Sequence, residues 1–264
     1  MRLRFTSWIA VGVLGAMAVI VGCSKPDPNI VTVGMALNYP PFETVGPDGD
    51  PMGISVEMAK ALAASMGKKL KIENIPFVGL IPALNAGKID LILSSMTATD
   101  ERRQSVDFSD PYLTTGLSLL VKKESPITSI TDADQSGKTL AVCSGTTGEA
   151  YAREHVKNAN VIILEKENLA VMEVIQGKAD AFLYDQMSTW QNAQSHPDTT
   201  KALLKPFQTE SWAIAVKKGN APLLQSINGF LKEYRGSGGF EKLGDRFLSA
   251  QKAAFAEQGI PFVF

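Results

Sequence analysis

The sequence predicts an α/β protein built as two similar lobes with a cleft between them. Three observations lead there. Apolar runs of strand length alternate with segments of helical period, the pattern of mainly parallel sheets covered by helices. The runs are short and almost wholly apolar, as in strands buried on both faces. One junction also occurs twice. Ala83-Leu84-Asn85-Ala86-Gly87-Lys88-Ile89-Asp90-Leu91-Ile92-Leu93 is echoed by Glu173-Val174-Ile175-Gln176-Gly177-Lys178-Ala179-Asp180-Ala181-Phe182-Leu183, at a constant offset of 90 residues. Each copy reads as a helix end, a Gly-Lys turn, an aspartate and an apolar strand. Either helix–Gly–strand junctions converge on one solution, or the chain has two lobes of similar construction.

The elements follow in order. Ile30–Ala36 is a short apolar strand, stopped by Pro40 and Pro41, which cannot donate to a ladder. Residues 46–51 form a Gly/Pro/Asp turn cluster. Met58, Ala59, Leu62, Ala63 and Met66 recur at helical spacing over 55–66, and Gly67 is a natural C-cap. Leu70 and Ile72 alternate with charges as a half-buried strand. Ile89–Leu93 is a buried strand. The second series has strands at 139–143, 161–164 and 179–184, with helices near 148–158 and 168–176. Leu117–Val121 and Trp212–Val216 are further strands, and helices near 222–234 and 239–249 close the chain.

Composition excludes several functions. Of 264 residues, 26 are Lys or Arg and 27 are Asp or Glu, so no basic excess favours nucleic acid. Two histidines and two cysteines argue against a Cys/His metal site or a disulfide scaffold. No cofactor is expected. Arg2 and Arg4 precede an uncharged stretch from Trp8 to Gly22, a secretory leader too short for a comfortable span. The stretch ends Ile20-Val21-Gly22-Cys23, which resembles the bacterial lipoprotein signal. Residues 1–22 are then a signal peptide, Cys23 carries lipid such as palmitate, and 23–29 is a tether. Losing Arg2 and Arg4 takes the net charge from −1 to −3. Cys143 is left without a disulfide partner.

Ligands in open α/β sheets bind beyond the carboxyl ends of strands. Those ends carry Ser94, Ser95 and Thr97 in the first copy and Tyr184-Asp185 in the second. A free amino acid asks for a guanidinium at its α-carboxylate and a carboxylate at its α-ammonium. Thr99 N-caps a helix bearing Arg102 and Arg103, about 100° apart, so only one faces the cleft. Ser144–Glu149 is a Gly-containing turn opening a helix, where free N–H groups suit an anion. Asp185, at the end of a buried strand, needs a cation or several donors. Tyr39 and Phe77 offer flat walls.

Six ordered motifs then resemble one family: Tyr39-Pro40-Pro41-Phe42-Glu43, Phe77 with Leu80–Leu84, Gly87–Asp90, Thr99–Arg102, Phe108–Tyr112 and Ser144–Thr147. Together they look like the polar-amino-acid class of bacterial extracellular solute-binding proteins, the receptors of amino-acid ABC importers. The resemblance implies a two-lobed periplasmic-binding-protein fold with two crossing hinge strands, which would fall near Leu117–Val121 and Trp212–Val216. Lobe 1 would be 30–120 and 212–264, and lobe 2 would be 121–211. It selects Arg102 for the α-carboxylate, assisted by Thr147. It gives Ser95 and Thr97 contacts to both main-chain groups, with Ser94 beside them, and Asp185 the ammonium. Tyr39 and Phe77 would sandwich the side chain, with Cys143 beside it.

The implied protein is a lipid-anchored monomer at the periplasm or cell surface. It would deliver a free amino acid to an ABC-transporter permease in the inner membrane. The alternatives are an enzyme on the same fold, resembling cyclohexadienyl dehydratase, or a ligand-sensing receptor subunit. The dehydratase needs a further buried acid, and Asp185 is the one that the sequence marks out. Receptors for basic amino acids in this family often have an acid at the position of Ala36, and glutamine receptors a lysine at that of Cys143. Neither is present, so the side chain recognised stays open. Glu43 would serve a cationic side chain if it faces the cleft.

Overall fold

The computed structural model describes residues 27–261 and 264. The expected leader and Cys23 lie outside the described residues. Two five-stranded sheets organise the rest. The first orders its strands Lys69–Asn74, Ile30–Met35, Leu91–Ile92, Ala215–Lys217, Val106–Phe108. The second orders Asn160–Leu164, Thr139–Cys143, Ala181–Asp185, Leu113–Lys122, Thr200–Trp212. A small sheet, Asn38–Tyr39, Glu43–Val45 and Pro51–Met52, folds the 46–51 turn cluster over the first lobe.

The 90-residue echo has a common physical cause. Gly87 and Gly177 both take left-handed φ, at 71° and 74°, a conformation that ends a helix at little cost only for glycine. The aspartate three residues later then joins the neighbouring strand twice. Asp90 accepts from Thr32 N (2.7 Å) while its own N–H donates to Thr32 O (2.8 Å). Asp180 does the same with Thr139, at 2.9 and 2.8 Å. A Gly-x-x-Asp junction therefore fixes strand register in each lobe. Both junctions lead to the ligand side: at the same offset, Ser95 corresponds to Asp185.

Both sheets are covered on both faces. Val33, Met58, Leu91 and Ile214 pack on one side of the first sheet, and Leu80, Leu84, Ile92 and Val106 on the other. The second sheet is enclosed likewise, by Leu140, Val142 and Leu183 on one side and Ala141, Val174 and Phe182 on the other. This explains why their strands read as unbroken apolar runs.

The crossing differs from the sequence expectation. Leu117–Val121 is already inside the second sheet, paired with Ala181–Asp185. The two connecting segments cross as an antiparallel ladder from Leu113↔Trp212 to Leu117↔Gln208. The expected strand Trp212–Val216 also divides: Trp212 ends the long strand, and Ala215 starts one in the first sheet. Strand Thr200–Trp212 was not expected, because Pro206 interrupts its pattern. The register slips between Leu203 and Gln208, around that proline, and the strand lies at a sheet edge where a missing N–H is tolerated. Two helices, Gln186–Ser195 and Ser249–Glu257, also add to the expected set. They meet across the lobes: Gln251 Nε2 donates to Met187 O at 3.2 Å, and Met187 packs in the first lobe's core.

Candidate ligand-binding site

A cavity, part of it open to solvent, lies between the lobes. All nine residues singled out from the sequence line it. Tyr39, Phe77, Ser94, Ser95, Thr97 and Arg102 come from the first lobe, and Cys143, Thr147 and Asp185 from the second.

Arg102 is placed by its helix. Thr99 caps Asp100–Ser105 by accepting from Arg102 N at 3.2 Å, which turns that side chain inward. Its Nη1 donates to Thr97 O (2.7 Å) and its Nη2 to Gly145 O of the second lobe (2.9 Å). The guanidinium lies 5.3 Å from the Phe77 ring centroid, within cation–π range. Burial lowers its pKa. Arg103, one residue on, is exposed and lies over Phe108 instead.

Asp185 ends its strand and caps the next helix. Its Oδ1 accepts from Met187 N (2.9 Å), Ser188 N (3.1 Å) and Tyr39 Oη of the opposite lobe (2.7 Å). Its Oδ2 has no partner among the described residues. Burial raises its pKa to about 7, against the lowering effect of those donors. Tyr39 is itself fixed by stacking on Phe42 and by edge contacts with Tyr184 and Trp212.

Ser95 is the one described non-glycine residue with positive φ, at 44°, a local strain at the cavity wall. Its hydroxyl donates to Glu43 Oε2 (3.1 Å), Ser55 Oγ donates to the same oxygen (2.6 Å), and Ser94 Oγ donates to Oε1 (3.2 Å). Glu43 thus does face the cleft. Burial pushes it up to about 8 despite the three hydroxyls.

The Ser144–Glu149 turn differs in detail from expectation. Thr146 is the N-cap, accepting from Glu149 N at 3.4 Å, and Thr147 is the first helical residue. Glu149 reaches back to Gly145 N at 2.6 Å, so that N–H is already taken. What remains for an anion is the helix start at Thr147, whose N–H has no acceptor within the helix. Cys143 is buried, and burial raises its thiol pKa further from ionisation.

Three acids besides Glu43 and Asp185 also line the cavity: Glu165, Glu167 and Glu210. Glu210 accepts from Thr97 Oγ1 (3.0 Å) and Gln208 Nε2 (3.2 Å). Glu167 Oε1 accepts from Ser188 Oγ and Asn192 Nδ2, both at 2.6 Å, and burial raises its pKa. Asp185 is therefore one of several buried carboxylates here. Among the described residues no cluster of His, Cys, Asp and Glu is arranged to hold a metal ion.

Two α/β lobes joined by a double-strand ladder, with a polar cavity between them, define the two-lobed architecture of a periplasmic binding protein. The chain belongs to the bacterial extracellular solute-binding proteins, family 3, whose profile matches residues 31–250. It is 33% identical over 252 residues to an L-arginine-binding protein of Pseudomonas aeruginosa, covering 89% of this chain and 95% of that one. It is 30% identical over 218 residues to the L-cystine-binding protein TcyJ of Escherichia coli K12, covering 83% and 82%. Among solved structures, an ancestral arginine-binding protein bound to arginine superposes with a TM-score of 0.78 at 33% identity, covering 83% of this chain and 98% of that one. The ancestral amino-acid-binding protein AncCDT-1, a precursor of cyclohexadienyl dehydratase, gives 0.78 at 34%, covering 83% and 95%. No helix of the described residues is long and apolar enough to cross a membrane.

Proposed function

We propose that this protein captures a free L-amino acid by lobe closure and hands it to an ABC permease. The observation that carries the reading is the opposition of Arg102 and Asp185 across one cavity. The ligand's α-carboxylate takes the guanidinium, with the Thr147 N–H beside it. It exchanges places with the backbone carbonyls of Thr97 and Gly145, which are weaker partners for a cation than a carboxylate is. The α-ammonium takes the free Oδ2 of Asp185. Because the two anchors belong to different lobes, the ligand stabilises the closed form selectively. The lobes divide at the Leu113–Leu117 and Gln208–Trp212 ladder, which serves as the hinge.

A thermal-shift screen of refolded protein against the proteinogenic amino acids tests this, since a ligand of the folded form raises the melting temperature. Arg102→Ala should abolish the shift. A full shift in that variant removes Arg102 from the role.

The relatives bind amino acids and are not described as enzymes. One observation favours a second reading: Glu43, at about 8, is a buried acid protonated at neutral pH, as general acid catalysis needs. Against it, both Glu43 oxygens are engaged by serine hydroxyls. A dehydratase assay on prephenate and arogenate separates the two readings.

The Ile20–Cys23 signal supports a lipoprotein held outside the inner membrane through Cys23. Cys23→Ser should then move the protein from the membrane fraction to the soluble one.

A further inference from the structure

We propose that the amino acid recognised carries a second positive charge at the end of its side chain, and that Glu167 receives it. This rests on the amino-acid reading above and narrows it.

The charge balance of the cavity is one-sided. Arg102 is the one cation among the lining residues, against five carboxyl groups, of which burial keeps Glu43 protonated at neutral pH. Burial also raises Glu167 and Asp185, so each of them gains from a cation placed beside it. The α-ammonium of a zwitterion supplies one such cation. Arg102 and Asp185 are consumed by its main-chain groups. The remaining acids differ in what they still offer. Glu43 has both oxygens taken by serine hydroxyls, and Glu210 has both taken by Thr97 and Gln208. Glu165 is exposed and spends its charge on water.

Glu167 is built differently. Its Oε1 is clamped by two donors at 2.6 Å, while Oε2 has no partner among the described residues. Clamping one oxygen fixes the direction of the other. Ser188 stands between this carboxylate and Asp185, its N–H donating to Asp185 and its hydroxyl to Glu167. The two acids are therefore spaced by about one short side chain. Each has one free oxygen, a match for two cationic groups on one ligand.

The same accounting disfavours other side chains. A neutral amide leaves Glu167 unpaired. A second carboxylate, as in glutamate, would meet acids and find Arg102 already occupied.

Calorimetry on the refolded chain with L-arginine, L-lysine, L-citrulline, L-glutamine and L-glutamate tests this. Citrulline is decisive, because it has nearly the shape of arginine without the charge. Arginine or lysine should bind at least about tenfold tighter than citrulline. Glu167→Gln should shrink the arginine-to-citrulline ratio towards one, with its melting temperature confirming a folded protein. The wild-type ratio stands as a test if that variant does not fold. Citrulline, glutamine or glutamate binding as tightly as both cations would overturn the inference and leave amino-acid capture standing. An unchanged ratio in a folded Glu167→Gln protein would remove Glu167 from the role. Binding of none of these five would overturn the inference, and the thermal-shift screen against all proteinogenic amino acids then decides whether amino-acid capture stands.

Discussion

The hydroxyl of Tyr39 donates to the carboxylate of Asp185 at 2.7 Å, joining the two lobes across 146 residues of chain. The same oxygen of Asp185 caps helix Gln186–Ser195 through two backbone N–H groups. One side chain therefore ends a strand, starts a helix and closes the cleft. Asp185→Ala removes all three, and loss of the cap alone costs about 0.5–2 kcal/mol of stability. Asp185→Asn keeps a capping oxygen and removes the charge, so it should weaken amino-acid binding at least about tenfold with a much smaller stability loss. Tyr39→Phe removes only the lobe contact and should act in the same direction, more mildly. Calorimetry beside thermal melts separates these effects. Equal affinity in wild type and Asp185→Asn would exclude the ammonium contact.

The buried acids give stability a definite pH dependence. Burial holds Asp185 at about 7 and Glu43 at about 8 in the ligand-free protein, while such groups titrate near about 4 when unfolded. Between those limits the folded state binds more protons than the unfolded state. Unfolding free energy therefore falls as pH rises through the window. The ligand-free melting temperature should drop between about pH 5 and about pH 8. Affinity should move the opposite way, since an ammonium prefers ionised Asp185, and should tighten as pH rises through about 7. Melts in a buffer series, with and without a bound amino acid, check both signs. A melting temperature that climbs steadily across the window contradicts the assignment of these acids.

The duplicated Gly-x-x-Asp junction was legible because its chemistry is local. Asp90 and Asp180 each bond the backbone of a neighbouring strand directly behind a left-handed glycine. Asp90→Ala and Asp180→Ala should each cost about 1 kcal/mol, by leaving the Thr32 or Thr139 N–H without its acceptor. Asp180 also pairs with Lys138 at 2.9 Å, so its loss should be the larger. Denaturant melts measure the cost. Amino-acid affinity should be unchanged in both, and a large affinity loss would mean that the junctions do more than set register.

The cleft was legible for the same reason as the junctions. Strand ends and helix starts announce themselves by composition, and Ser95, Arg102, Thr147 and Asp185 all sit at them. Glu167 and Glu210 do not stand out in this way. Glu167 opens helix Glu167–Gln176, where an acid is ordinary dipole chemistry. Glu210 lies in a strand whose pattern Pro206 breaks. Both acquire their place only when Ser188 and Thr97 approach from distant parts of the chain. The hinge was displaced by a few residues because an apolar strand reads alike whether it crosses between lobes or lies within a sheet.

Closure itself can be tested at Gly145. Its φ is 73°, and its carbonyl accepts from Arg102 of the other lobe at 2.9 Å. A Cβ there would stand 2.6 Å from Cγ1 of Val78, again across the cleft. Val78 is β-branched and has little rotamer freedom with which to move away. Gly145→Ala should therefore combine a backbone strain of about 1 kcal/mol with a wedge that holds the lobes apart. Removing Cγ1 by Val78→Ala relieves the wedge but not the strain. The double variant should recover affinity while keeping the lowered melting temperature. Calorimetry and melts on the two single variants and the double variant distinguish these terms. If Val78→Ala restores none of the affinity lost in Gly145→Ala, the contact between the lobes at this point does not govern closure.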